Sequence, residues 1–86
     1  MYSITFTNSF AHWIHLVVRA GAAASCESNP VVYDTSLAPG SEWTLETDQS
    51  VICYRRTENP GDVASSLGVW NTLSPNDGKS SMKIQL

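Results

Sequence analysis

Leu37–Arg56 reads LAPGSEWTLETDQSVICYRR: a turn, a strand, a second turn and another strand. Pro39 and Gly40 suit the two central positions of a type II turn, because Pro presets φ near about −65° and Gly accepts positive φ. Beyond that turn, Trp43, Leu45 and Thr47 fall on one face, against Glu42, Thr44, Glu46 and Asp48 on the other. This period-2 alternation marks a half-buried strand. Asp48-Gln49-Ser50 turns the chain into Val51–Thr57, where Val51, Cys53 and Arg55 oppose Ile52, Tyr54 and Arg56. Both faces begin apolar and end basic, as expected of a central strand whose far end emerges from its sheet.

The flanking sequence repeats this grammar. Tyr2, Ile4 and Phe6 alternate with Ser3, Thr5 and Thr7, and Asn8-Ser9 supplies a turn. A second strand is expected from Phe10 to Arg19, antiparallel to the first, with His12, Ile14, Leu16 and Val18 inward and Trp13, His15, Val17 and Arg19 outward. Residues 20–30 read as a loop carrying Cys26, and Val31–Tyr33 as a short strand with its exit at Asp34-Thr35-Ser36. A long connection over residues 58–68 turns at Asn59-Pro60-Gly61, and Val69–Leu73 forms the next strand. Residues 74–81, built around Pro75 and Asn76-Asp77-Gly78, read as a hairpin-type loop. Met82, Ile84 and Leu86 alternate with Lys83 and Gln85 in a final strand. About seven short strands at intervals of about ten residues, with no substantial helix, predict an all-β chain. The expected fold is a small antiparallel β-sandwich, with residues 1–86 forming one domain. Trp13 and Trp43 lie thirty residues apart, as do Asn29-Pro30 and Asn59-Pro60. Two such coincidences do not make a repeat.

The opening pattern is an alternating strand, Asn8-Ser9, a second strand, then Pro39-Gly40 and Ser41-Glu42-Trp43-Thr44. It resembles the start of thaumatin-like proteins and of several other small secreted sandwiches. The resemblance spans roughly half the chain and implies a sandwich. Thaumatin-like proteins are much longer and rich in cysteine, so no functional residue is carried over from it.

Net charge is −3, with five Lys and Arg in 86 residues. A nucleic-acid binder needs a concentrated basic face, so nucleic acid is not an expected partner. No apolar run reaches the ~20 residues of a membrane span, which argues against membrane insertion. Met1 leads straight into strand alternation, without the basic and apolar regions of a signal peptide. The polar, Lys-poor composition suits a secreted or surface protein without ruling out a cytoplasmic one, so the compartment stays open. Cys26 and Cys53 permit one disulfide, which would contribute about 3–4 kcal/mol; the other reading is two buried thiols packed as small apolar groups.

No motif for chemistry stands out. His12 and His15 point to opposite faces of the expected strand, which argues against a shared metal site. Glu42, Glu46 and Asp48 read as a solvated face, and Asn76-Asp77-Gly78 lacks the further acidic ligands of a calcium loop. Neither a nucleophile elbow nor a phosphate-binding Gly loop is present, so no enzyme, metal or cofactor is expected. Arg and Trp dominate interface hot spots, and Trp also stacks on sugars. Trp13, His15, Arg19, Tyr54, Arg55, Arg56 and Trp70 are therefore the candidate binding residues. One arginine of the 55–56 pair is expected to meet Glu46 or Glu58. The expected role is a non-catalytic module that binds a protein partner, itself included, as a compact inhibitor or a self-assembling surface subunit. The second expectation is a carbohydrate-binding module that stacks glycan on Trp13 or Trp70.

Overall fold

The computed structural model describes residues 1–57, 66–74 and 81–86. Among the described residues there are seven strands: β1 (Tyr2–Thr7), β2 (Ile14–Gly21), β3 (Val31–Leu37), β4 (Glu42–Thr47), β5 (Val51–Arg56), β6 (Asn71–Leu73) and β7 (Ser81–Gln85). They form a three-stranded sheet, β4-β1-β7, and a four-stranded sheet, β3-β2-β5-β6. The chain is a small β-sandwich. Every strand pair is antiparallel except β1–β7, which is parallel.

The inward face of each strand builds the core. Ile4 and Phe6 of β1 and Leu45 of β4 meet Ile14, Leu16, Val18 and Ala20 of β2, Leu37 of β3 and Ile52 of β5. Tyr33 and Trp43 close one flank with ring centroids 4.2 Å apart, and Trp43 also stacks on Phe6 at 5.9 Å. The alternation read along Trp43, Leu45 and Thr47 is therefore that of an inward face.

The connections differ from expectation. β1 and β2 do not form a hairpin: they lie in different sheets, and β2 begins at Ile14 rather than Phe10. The cause is Asn8, which is fully buried. Its amide Nδ2 donates to the carbonyls of His12 and Leu37, each at 3.0 Å, and its Oδ1 accepts from the Phe10 N–H at 2.9 Å. Its backbone N–H donates to the Ser41 carbonyl, and its carbonyl accepts from the Gly40 N–H, both at 2.9 Å. Residues 8–13 thus bend across the sandwich end and are tied to residues 37–41, where the chain crosses back from β3 to β4. Gly40 has φ 74°, as the third position of a type II turn requires, and the Ser41 N–H closes that turn on Ala38 at 3.0 Å.

β3 is longer than expected, running on to Leu37, because Asp34, Thr35 and Ser36 continue the ladder with β2. β6 is shorter and starts at Asn71. β6 and β7 belong to different sheets, so they are not the two arms of a hairpin. The turns expected at 59–61 and 75–78 lie outside the described residues.

Replacing Asn8 with Ala strips partners from two carbonyls and one N–H in a buried corner. Asn8→Ala is expected to lower unfolding free energy by about 2–4 kcal/mol in urea titration. Thr5→Val, on a solvated outer face, is expected to change it by less than about 0.5 kcal/mol.

Candidate functional site

Alternation along β5 sends its two arginines to opposite sides. The seven candidate residues accordingly divide between two surfaces that meet at residues 69–70.

The first surface is the outer face of the four-stranded sheet. Val17 and Cys53 point away from the core there, yet both are buried. Cys53 lies under a roof formed by residues 22–30. Cys26, in a short 3-10 turn (Cys26–Ser28), is disulfide-bonded to Cys53 with Cα atoms 5.8 Å apart. Among the two readings of the cysteines, the disulfide is the one adopted. Arg19 holds the roof from below, its Nη1 donating to the carbonyls of Glu27 at 3.3 Å and Asn29 at 2.9 Å. Buried Asn29 folds the loop back through Ala23, donating to its carbonyl and accepting from its N–H, both at 3.1 Å. Gly21 makes room for this: a Cβ there would lie 2.2 Å from Asn29 Oδ1.

Trp70 completes the roof. Its Nε1 donates to Glu27 Oε1 at 2.7 Å, and the Arg55 guanidinium carbon stands 4.4 Å from its ring centroid. Arg19 lies farther from the same ring, at 5.8 Å. Thr72 of β6 sits beside both sulfurs, its Oγ1 3.5 Å from Cys26 and 3.8 Å from Cys53. His15 shares this outer face but faces β3, where its Nε2 meets Asp34 Oδ1.

The second surface is the end of the sandwich. Arg56 lies over Phe10 at 4.7 Å, and Phe10 stacks on His12 at 5.0 Å. His12 is not on β2, as the sequence reading had it; its Nδ1 meets the Trp13 carbonyl in the bend before the strand. Trp13 is 52% exposed. Beside Arg56 a cleft of about 290 Å³ opens between the β6 and β7 edges, lined by Tyr54, Arg56, Val69, Asn71, Gln85 and Leu86. Val69, at its mouth, is 82% exposed. Phe10 and Val69 were not among the sequence candidates. The β-branched and aromatic content of both segments reads as strand core, and nothing local marks them as surface.

The structure therefore brings Arg19, Arg55 and Trp70 together, places Trp13, Tyr54 and Arg56 along the other surface, and sets His15 apart with Asp34. Glu46 does not reach either arginine of β5; it accepts from Ser3 at 3.3 Å on the far sheet. Glu58 is outside the described residues. Among the described residues, no three His, Cys, Asp or Glu side chains gather as metal ligands, and no helix is long and apolar enough to cross a membrane.

No family model matches the chain, and neither a curated protein nor a solved structure matches it.

Reducing the disulfide is expected to lower stability by about 3–4 kcal/mol, with alkylation under native conditions showing no free thiol until reductant is added. Burial raises the Tyr33 and Tyr54 hydroxyls above their ordinary pKa of 10.0, with Arg56 partly offsetting the shift at Tyr54. The folded state then holds these protons more tightly than the unfolded state. Their contribution is complete below the unfolded value and is lost as pH rises through the folded one. Ultraviolet titration should show phenolate forming later in the folded than in the unfolded chain, and stability should fall on the alkaline side of that window.

Proposed function

We propose that this protein is a non-catalytic interaction module that binds a protein partner through the apolar end of the sandwich. One observation carries the reading: Trp13 and Val69 are 52% and 82% exposed, Trp13 following the bend that carries Phe10 and Val69 lining the cleft beside Arg56. Exposing a Trp costs apolar hydration that burial in an interface recovers, and an arginine already held on an aromatic ring loses little further entropy when a partner covers it. The adjoining cleft supports the same reading. Among the described residues it is lined by Tyr, Arg, Val, Asn, Gln and Leu, with no side-chain carboxylate, histidine or thiol for acid–base or nucleophilic work. A compact inhibitor and a self-assembling subunit both fit this role.

The glycan-binding alternative rests on the exposed ring of Trp13. Trp70 supports it less, because Arg55 covers one face and Glu27 holds its indole N–H.

Immobilised protein and a Trp13→Ala/Val69→Ser variant of equal melting temperature, offered to an extract of the source cells, should differ in what they retain. The expected result is a partner held by the first and weakened roughly tenfold or more in the variant. Equal retention by both would sink the proposal. A glycan-array signal abolished by Trp13→Ala, with no retained protein, would replace it with the sugar reading.

A further inference from the structure

We infer that Arg55, laid over Trp70, is the docking point for a carboxylate on an acidic segment of the protein partner. The inference rests on the partner-binding reading above and names the chemistry of that partner at a neighbouring surface. Val69 belongs to the apolar end and Trp70 to the outer face of the four-stranded sheet, so one partner wrapping the β6 edge reaches both.

Three features point to a carboxylate. First, the cluster is electrically incomplete among the described residues. Arg19 and Arg55 bring two positive charges to one indole, and Glu27 is the described acidic group that faces them, 3.7 Å from Arg19 Nη2. One positive charge is left over, in a chain whose net charge is −3. Second, Arg55 is half-buried, and its Nε, like that of Arg19, is buried with no hydrogen-bond partner among the described residues. Arg19 spans two carbonyls and a carboxylate, whereas Arg55 has the Trp70 ring. With Nε enclosed, the Nη1–Nη2 edge is the fork that remains, and a fork of this kind accepts a carboxylate in bidentate fashion. Third, the platform is already rigid. The disulfide fixes the turn that carries Glu27, Glu27 fixes the indole, and the indole fixes the guanidinium plane. A monoanion neutralises the cluster. A phosphate or sulfate dianion would leave it negative on an already acidic chain.

The test is a titration of the intact, disulfide-bonded chain with a short capped oligoglutamate peptide, read in N–H correlation spectra. Oligoglutamine and inorganic sulfate serve as comparison probes. The expected result is a saturable shift of the Trp70 indole N–H and the Arg55 Nε–H with oligoglutamate, larger than with oligoglutamine. Arg55→Gln should weaken it roughly tenfold or more, and Arg55→Lys, which keeps the charge but loses the fork, by less. Arg56→Gln, on the opposite side of the sheet, should leave it unchanged. Trp13→Ala should also leave it unchanged while reducing partner retention, so failure here and failure of the interaction reading give different patterns. Absence of a shift, an equal shift in Arg55→Gln, or tighter binding of sulfate than of peptide would overturn the assignment.

Discussion

The sandwich depends on Asn8. A chain whose strands alternate between two sheets must cross its open ends, and each crossing exposes backbone groups that no ladder satisfies. Asn8 resolves two crossings at once. Its backbone pairs with residues 40 and 41, and its side chain with residues 10, 12 and 37. The exit of β1, the entry of β2 and the passage from β3 to β4 are thereby held at one buried point. Burying an amide is unfavourable unless its donors and acceptor are all met. Here they are met by groups that would otherwise be stranded. The Pro39-Gly40 turn, which looks like a local device in the sequence, is positioned by this clamp.

The four-stranded sheet is buried on both sides of its centre, which explains the composition of β5. Ile52 faces the shared core, and Cys53 faces the roof of residues 22–30. A strand covered on both faces reads as a continuous apolar run rather than an alternation. The same strand then leaves cover at Arg55 and Arg56. One guanidinium meets an indole on the outer face and the other a phenyl ring at the sandwich end. In both cases the ring gives an amphipathic cation an apolar surface along which to lie.

Much of this was legible in the sequence, and the limits have physical causes. Period-2 alternation located β1, β4, β5 and β7, because each buries one clear face or two. It also separated Arg55 from Arg56 and placed Val17 and Arg19 opposite Leu16 and Val18. Sheet membership was not legible. Asn8-Ser9 has the composition of a hairpin turn, and only the long-range partners of Asn8, at residues 37 to 41, make it a crossing. The cysteine count allowed the disulfide but could not bring Cys26 over Cys53; that required Arg19 and Asn29 to fold the loop back. The position of Trp70 follows from the same loop, through Glu27.

The two outer faces differ in how far their polar groups are already matched, and this bears on where recognition can occur. On the three-stranded sheet, directly opposed side chains satisfy one another: Ser3 with Glu46, Thr5 with Thr44 at 2.9 Å, and Thr7 with Glu42 at 3.1 Å. Lys83 adds its charge to Glu42 at 3.8 Å. A ligand laid on that face would have to displace these pairs, each worth little but lost together. The four-stranded sheet and its adjoining end present the reverse situation. Trp13 and Val69 have apolar surface in water, and the Arg55 guanidinium lies against the Trp70 ring. On the proposed interaction reading, a partner would gain there what it would forfeit on the opposite side, so the chemistry of the two faces favours a one-sided contact.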